Sequence, residues 1–328
     1  MKAIRCKTYG PPSMLVLEDV ANLKPGKREV LVNVKACGVN FPDTLIIQGL
    51  YQFKPQLPFT PGSDVSGVVK AVGEEIEQLH VGDEVFGFVA HGAMAEEVLI
   101  PANACFPKPP QMDFPIAASF MMAYGTSFHA LKDRAKLQKG ETLLVLGASG
   151  GVGLAAVELG KRMGAHVIAA ASSDEKLELC RQYGADETIN YSTEDLKSTI
   201  KALTHKKGVD VIYDPVGGDY SESAFRGMAW NGRYLVVGFA SGHIPKLPLN
   251  LPLLKGASVV GVFWGGFAMG QPKENMRNTK ILMQWYAEGK LRPHIDKLYE
   301  LKDAPKALKA MMQRKVKGKL VIDVRHEI

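Results

Sequence analysis

The segment 145–153 reads VLGASGGVG and carries the sharpest chemical pattern in the chain. Ala148, Gly150 and Gly153 occupy the three positions of a GxGxxG fingerprint, with Ala in place of the first Gly. Small residues there let a pyrophosphate approach the backbone and let the next helix pack closely on the strand, and the helix start attracts phosphate. A glycine-rich turn without a cofactor is the alternative. The residues predicted to contact a dinucleotide here are Ala148, Ser149, Gly150, Gly151, Val152 and Gly153.

The end of the following strand indicates which dinucleotide is bound. The strand ends in Ser172 and Ser173, where NAD-binding folds usually place an Asp or Glu on the ribose hydroxyls. Ser172 can bond a 2′-phosphate without repelling it, and Lys176 can neutralise its charge. Tyr191, after the next strand, is predicted to flank the same phosphate. These residues favour NADPH over NADH, the alternative being that Lys176 is an ordinary surface charge.

The elements around this motif alternate between strands and helices from about residue 123. Apolar strands are predicted at 142–146, 166–171, 209–214, 232–238 and 258–263, with helices at 152–163 and 174–183. Strand–helix alternation with apolar strands is typical of a parallel sheet covered on both faces.

The first third of the chain has a different texture. Strand-like segments at 30–36, 67–72 and 94–100 are separated by Pro- and Gly-containing turns, which indicates a compact barrel-like domain. The tail has predicted helices at 279–288 and 304–313 and a last strand at 319–324, and we expect it to return to the first domain. The predicted domains are therefore 1–122 with 268–328, and 123–267.

Composition excludes several classes. The 328 residues carry a net charge of +6, and Lys315, Lys317 and Lys319 form only a short basic cluster beside a strand, so nucleic acid is an unlikely main partner. The cysteines are scattered without a CxxC pair, which favours a reducing compartment over a disulfide framework. No signal peptide and no apolar run of about 20 residues is visible, so we expect a cytoplasmic protein outside the membrane, with an organelle matrix after processing as the alternative.

Several further segments carry a family resemblance over nearly the whole length. They are CGVNFPD at 37–43, GLY at 49–51, PFTPGSDVSG at 58–67, VGDEV at 81–85, AYGT at 123–126, the glycine loop, and VDVIYDPVGG at 209–218. With them the chain resembles the zinc-independent quinone oxidoreductases of the medium-chain dehydrogenase/reductase superfamily, the group that includes zeta-crystallin. The resemblance implies an α/β fold: a Rossmann doubly wound parallel sheet plus a GroES-like, β-rich barrel catalytic domain.

The resemblance also bears on metal. Zinc-dependent alcohol dehydrogenases of the superfamily carry Cys where this chain has Asn40, His where it has Ser63, and a third ligand near 118–119, where there is no Cys. A catalytic zinc needs three protein ligands. We therefore expect no metal site.

Without a metal, the expected substrates are those whose carbonyl already activates them: quinones, or C=C bonds conjugated to a carbonyl or thioester. Hydride addition leaves a phenolate or enolate oxygen that needs preorganised donors. The resemblance makes Asn40, Asp43 and Tyr51 the catalytic candidates, with Asn40 also contacting the cofactor. The alternatives are a pocket-wall role for Tyr51 and a turn or cap role for Asp43.

The resemblance implies more cofactor-binding positions, which without it would read as core residues or a solvated helix-end charge. They are Thr126, Val216, Phe239, Phe263, Trp264 and Arg314.

Three functions stay open. The first is an NADPH-dependent quinone reductase, the second an NADPH-dependent 2-enoyl-thioester or enone reductase, and the third an NADPH-binding structural or RNA-binding protein with little catalysis. The apolar strand at 258–263 needs covering at the sheet edge, and in relatives it pairs with its own copy, so a homodimer is expected.

Overall fold

The computed structural model describes residues 1–324, so the last part of the predicted 268–328 segment lies outside it. The chain forms two compact units: unit 1 is Met1–Met122 with Pro293–Ile328, and unit 2 is Ala123–Arg292. Unit 2 thus extends beyond residue 267, where we placed the boundary. The helix that carries Asn275 belongs to unit 2 because it contacts residues before the predicted boundary. Trp264 Nε1 donates a hydrogen bond to Asn275 Oδ1 at 3.1 Å.

The strands are β1 (Lys2–Arg5), β2 (Val16–Asp19), β3 (Glu29–Val39), β4 (Asp64–Val72), β5 (Glu84–Phe88), β6 (Glu97–Pro101), β7 (Cys105–Pro107), β8 (Thr142–Leu146), β9 (His166–Ala171), β10 (Glu187–Asn190), β11 (Val209–Asp214), β12 (Met228–Val236), β13 (Ser258–Gly261), β14 (Ile295–Glu300) and β15 (Lys319–Asp323). The α-helices are α1 (Phe41–Ile46), α2 (Phe114–Ala118), α3 (Thr126–Phe128), α4 (Gly151–Arg162), α5 (Asp174–Gln182), α6 (Leu196–Leu203), α7 (Tyr220–Arg226), α8 (Asn250–Lys255), α9 (Trp264–Gly270), α10 (Pro272–Ala287) and α11 (Ala304–Met312). Short 3₁₀ helices lie at Pro12–Met14, Ala102–Ala104 and Leu301–Asp303, and π-helical turns at Met121–Gly125 and His129–Arg134.

Unit 2 is built on a parallel sheet of 6 strands in the order β10-β9-β8-β11-β12-β13. Its inner strands are buried almost throughout, as β9 shows with only His166 exposed, which is why they read as continuous apolar runs. The first three strands are added on one side of the sheet and the last three on the other, so the strand order reverses between β8 and β11. Ligands of such sheets bind beyond the carboxyl ends of the strands at that point. The predicted doubly wound parallel sheet is confirmed.

Unit 1 contains a mixed sheet of 7 strands in which β14, β15, β3, β4, β5 and β7 follow one another and β6 pairs with β3. β15 and β4 both run antiparallel to β3, the long central strand. Val32, Val34 and Val65 lie in its fully buried core, which Ala307 and Leu308 of α11 also join. The β-rich domain expected beside the Rossmann sheet is thereby confirmed.

Most predicted elements lie within a few residues of the observed ones. The predicted strand at 94–100 is displaced, since β6 begins only at Glu97 and the residues before it form bends and isolated bridges. The helix expected at 279–288 begins earlier, as α10 starts with Pro272 at a position where its missing N–H costs nothing.

In residues 1–324, no helix has both the length and the apolar character needed to cross a membrane.

Candidate active site

The glycine loop between β8 and α4 is closely packed at one glycine and open at another. A Cβ at Gly153 would lie 2.3 Å from the carbonyl oxygen of Gly147, so the helix packs on the loop only with glycine there. Gly150, by contrast, has φ −77°, and a Cβ there would meet only that same oxygen, at 3.4 Å, within 4 Å. The backbone at Gly150 is therefore open to a ligand. α4 also has no acid in its first turn, which keeps its positive end available to phosphate.

The loop after β11 lies against the glycine loop at the switch point of the sheet. Asp214 Oδ1 accepts the backbone N–H groups of Val216 at 2.7 Å and of Gly217 at 2.8 Å, which holds this loop in place. Val216 touches the glycine loop, because a Cβ at Gly147 would be 2.7 Å from its methyl group. Phe239 packs on Gly217 in the same way. Val216 and Phe239 thus both lie at this point of the sheet, with the predicted dinucleotide loop.

The end of β9 brings Ser172 and Lys176 together. Lys176 Nζ donates to Ser172 Oγ at 3.3 Å, and the backbone N–H of Lys176 donates to Ser173 Oγ, which caps the start of α5. Asp174 is turned away from Ser172, since its Oδ1 accepts Asn190 Nδ2 at 2.8 Å. A serine hydroxyl and an ammonium therefore lie next to each other at the end of β9.

Tyr191 follows β10 and is anchored beside the same strand end. Its backbone N–H donates to the carbonyl of Ala171 at 3.2 Å, and its ring lies 4.3 Å from the ring of Tyr220. Ser172, Lys176 and Tyr191 are therefore close neighbours, although the phosphate contact expected of Tyr191 stays a prediction.

The other predicted cofactor residues lie elsewhere. Trp264 is buried at 3% exposure against Gly125, the residue before Thr126, so it forms part of the packed interior of unit 2. Phe263 is 55% exposed, whereas Thr126 is buried. Arg314 belongs to unit 1, where it follows α11 with a left-handed φ of 57°. Their roles toward a cofactor remain predictions.

In unit 1, three polar side chains meet where three neighbouring strands of the mixed sheet, β15, β3 and β4, begin or end. Leu320 of β15 is opposite Val39 of β3, and Gly38 is opposite Asp64 of β4. This register sets Lys319, Asn40 and Asp64 side by side. Lys319 Nζ donates to Asn40 Oδ1 at 2.5 Å and to Asp64 Oδ2 at 3.3 Å, and Asn40 Nδ2 donates to Asp64 Oδ2 at 3.0 Å.

This group, which we term the Lys319 cluster (Lys319, Asn40 and Asp64), is almost completely buried. Lys319 is 5% exposed, Asn40 6% and Asp64 1%. A buried lysine is tolerated when it is paired, and the Asp64 carboxylate supplies the opposite charge. Burial nonetheless raises the pKa of Asp64, although Lys319 and Asn40 act against that rise.

Asp43, on the first turn of α1, lies beside the cluster. Its Oδ2 accepts the backbone N–H of Asn40 at 2.8 Å, and its Oδ1 accepts the Ser63 hydroxyl at 3.4 Å. Burial raises the pKa of the Asp43 carboxyl to about 7, and these hydrogen bonds and Lys319 only partly offset this effect. Asp43 is therefore both a helix cap and a group that exchanges a proton near neutral pH.

Tyr51 follows α1 on the loop that leads to Pro58. It is half-buried and packs against the apolar core of unit 1. Burial raises the pKa of its phenol, the charge of Asp43 adds to that rise, and a hydrogen bond with Gln52 opposes it. The phenol therefore stays protonated at neutral pH and can act as a donor.

Sequence reasoning missed Asp64 and Lys319 as members of this site and considered Ser63 only as a lost metal ligand. The sequence pattern places Lys319 in a short basic cluster and at the start of the predicted last strand, and in the structure it opens β15 and is buried with Leu320, Val321 and Ile322. A lysine directly before the apolar run Leu320–Ile322 was the available signal. Among the residues that the structure describes, no three His, Cys, Asp or Glu side chains group as metal ligands.

Comparisons with known proteins agree with both units. Residues 26–110 match the alcohol dehydrogenase GroES-like domain, and residues 151–281 match the zinc-binding dehydrogenase family model. The chain is 38% identical over 99% of its length to a quinone oxidoreductase-like protein 2 homolog of Nematostella vectensis, of which it covers 89%. The chain belongs to the quinone oxidoreductase family of the medium-chain dehydrogenase/reductase superfamily. As a member of this family it is an oxidoreductase.

Solved structures resemble this quinone oxidoreductase family member over its whole length. The Escherichia coli quinone oxidoreductase complexed with NADPH has a TM-score of 0.92 and 29% identity, covering 99% of this chain and 100% of that one. The CurK enoyl reductase has a TM-score of 0.90 and 27% identity, with 99% of each chain covered. The family and the fold predicted from sequence are confirmed.

Proposed function

We propose that this oxidoreductase transfers hydride from NADPH to a quinone and does so without zinc. The observation that carries the proposal is the set of partners of Asn40 and Ser63. Asn40 Oδ1 accepts the Lys319 ammonium, and the Ser63 hydroxyl donates toward Asp43. A cation already occupies the amide oxygen, and neither side chain is a good zinc ligand. The donor set therefore does not fit a metal and favours acceptors that need none.

NADPH fits the described residues of unit 2. The open backbone at Gly150 and the acid-free start of α4 suit the pyrophosphate, and Ser172 with Lys176 suits a 2′-phosphate. When bound, the cofactor supplies the hydride. The similar Escherichia coli quinone oxidoreductase, whose structure is a complex with NADPH, supports the same choice.

The protein's own task is to stabilise and protonate the oxygen of the reduced acceptor. Tyr51 suits this task because its half-buried phenol is neutral at neutral pH and can donate a hydrogen bond to an oxyanion. Asn40 is less suited, since its Nδ2 group already donates to Asp64 Oδ2 and, at 3.4 Å, to the carbonyl of Gly38. We therefore assign the donor role to Tyr51 and a positioning role to Asn40.

Reduction of a 2-enoyl thioester or an enone is the second candidate. The similarity to the CurK enoyl reductase favours it, and an enolate oxygen would need the same phenol donor. A binding role with little turnover is the third reading.

The deciding experiment follows NADPH oxidation by the purified protein with 9,10-phenanthrenequinone and with crotonyl-CoA, and repeats both with NADH. Quinone turnover with NADPH preference supports the proposal. Faster crotonyl-CoA turnover would replace it with the second candidate, and NADPH binding without turnover of either acceptor would favour the binding role. A second assay after dialysis against a chelator tests zinc independence, because a zinc enzyme would lose activity.

A further inference from the structure

The Lys319 cluster gives the Asn40 side chain only one favourable orientation. Its oxygen faces the Lys319 ammonium and its nitrogen faces the Asp64 carboxylate. The flipped amide would place NH₂ against an ammonium and a carbonyl oxygen against a carboxylate. Because the cluster is buried, water cannot compensate for those contacts.

Asn40 in turn fixes the start of α1. It is the residue directly before this helix, and its backbone N–H donates to Asp43 Oδ2 at 2.8 Å. α1 is short, ending at Ile46, and Tyr51 comes shortly after it. A helix of this length is marginal by itself, so its position depends on contacts at its ends.

The three partners come from separate parts of unit 1. Lys319 lies on β15, Asn40 follows β3, and Asp64 opens β4. Asp64 Oδ1 also accepts the backbone N–H of Met122 at 3.1 Å, so the carboxylate itself is held from a second side. The Asp64 carboxylate thus fixes the position of the Lys319 ammonium, and this ammonium binds the side-chain oxygen of Asn40.

We propose that Lys319 is a positioning residue for the acceptor site, which orients the Asn40 amide and thereby the start of α1 and the segment that carries Tyr51. The part of this inference that concerns catalysis rests on the proposed function. The part that concerns α1 does not.

Two variants test it by hydrogen-exchange mass spectrometry. Lys319→Met removes the ammonium and keeps the length of the side chain, and Asn40→Ala removes the link while leaving the ion pair of Lys319 and Asp64. Lys315→Met, at an exposed lysine of the same segment, is the control. We expect amide exchange in the segment 40–50 to rise about tenfold in both variants and less than about twofold in β5, because the cluster includes Asn40 at the start of α1 and no residue of β5. In the control, exchange should equal wild type.

Two exchange results would overturn the proposal: an equal rise across all of unit 1, which marks Lys319 as a general structural counter-ion, or no rise at 40–50. Should Lys319→Met not fold, Asn40→Ala alone decides, since unchanged exchange at 40–50 would break the proposed link.

Kinetics then connect the cluster to catalysis. A misplacement of about 1 Å costs roughly 10²-fold in rate, so we expect kcat for the quinone to fall by about that factor in both variants. In Lys319→Met, the KM for NADPH should change less than about twofold. Unchanged kcat beside raised exchange would remove the catalytic part of the inference. If the wild type reduces no acceptor, the proposed function fails, and the exchange data still decide the role of Lys319.

Discussion

The ammonium of Lys319 donates a hydrogen bond to the side-chain oxygen of Asn40, although the two residues are 279 positions apart in the chain. The contact depends on strand register, because β15 and β4 both pair with β3. Each of the three residues of the Lys319 cluster satisfies part of the hydrogen bonding of the other two. The cluster therefore functions as a unit, and the consequences of changing one member spread to the others.

The stability of the protein should depend on pH through Asp43. Its carboxyl has an ordinary pKa of 3.8 in the unfolded chain and a pKa of about 7 when buried. The raised value means that protonated Asp43 favours the folded state, so this stabilisation is complete below pH 3.8 and is lost as pH rises to about 7. The side chain of the Asp43→Asn variant cannot titrate. Between about pH 5 and about pH 8, the unfolding free energy of wild type should therefore fall by about 2–3 kcal/mol more than that of the variant.

Urea unfolding at the two pH values measures this difference. Asp64 titrates in the same direction in both proteins, and because its charge acts on Asp43, the comparison measures Asp43 together with this coupling. The exposed Asp19 supplies the control variant Asp19→Asn, which should follow wild type. Parallel pH profiles for wild type and Asp43→Asn would contradict a raised pKa at Asp43.

Replacement of Tyr51 by Phe should slow reduction of the acceptor. The phenol is the proposed donor to the developing oxyanion, and loss of one such donor costs about 10²-fold or more in kcat. NADPH affinity, measured by cofactor fluorescence, should stay at the wild-type value. Tyr299→Phe removes a hydroxyl from a half-buried tyrosine on β14 and should leave kcat unchanged. Equal rates for wild type and Tyr51→Phe would assign Tyr51 to the pocket wall.

Two glycines of the same loop should respond differently to an added methyl group. Gly150→Ala fits the local φ of −77° and should fold normally, yet its methyl group would point into the open space that we assign to the pyrophosphate. We expect NADPH binding to weaken about tenfold or more, a loss of about 1.4 kcal/mol. Gly153→Ala would place Cβ 2.3 Å from a carbonyl oxygen and should lower the melting temperature instead. Tight NADPH binding by Gly150→Ala would move the pyrophosphate away from this loop.

Coenzyme preference should change with the charge at the end of β9. Ser172→Asp adds a negative charge where we place the 2′-phosphate, and Lys176→Ala removes the nearby ammonium. Each change should lower kcat/KM for NADPH relative to NADH, the first by about tenfold or more. Lys197→Ala on α6 is the matched control, since Lys197 is also a partly buried helix lysine. An unchanged ratio in Ser172→Asp would exclude Ser172 from the phosphate site.

The expected homodimer can be tested at the sheet edge. β13 ends the parallel sheet, and Val259 on it is 49% exposed, while Leu253 and Leu254, a few residues earlier in the chain, are 77% and 69% exposed. Apolar open edges need a cover, and a second copy of this strand is the cover we propose. Val259→Glu should convert the dimer into a monomer in sedimentation-velocity runs, with Val81→Glu at another exposed valine as control. A monomeric wild type would reject the pairing.

Local pattern was sufficient for the central strands and the glycine loop of unit 2. β8, β9 and β11 have the predicted bounds because buried parallel strands form uninterrupted apolar runs, and the glycine loop is recognisable from small residues at fixed spacing. The charged part of the site in unit 1 was different. Asp64 and Lys319 have no motif of their own, because only the register of β15, β3 and β4 brings them to Asn40. Trp264 is buried for a comparable reason, since its packing on Gly125 is a contact between distant segments.

Unit 1 is formed by two separate stretches of the chain, and this has a consequence for biosynthesis. Unit 2 is one continuous stretch, Ala123–Arg292, so it has all its strands before the ribosome has made β14 and β15. The first part of unit 1, with Asn40 and Asp64, is made before Lys319, the residue that pairs with both of them. A chain without β15 leaves residues 36–39 of β3 without this partner strand and Asp64 without its lysine. Unpaired strand edges of this kind make folding intermediates prone to aggregation.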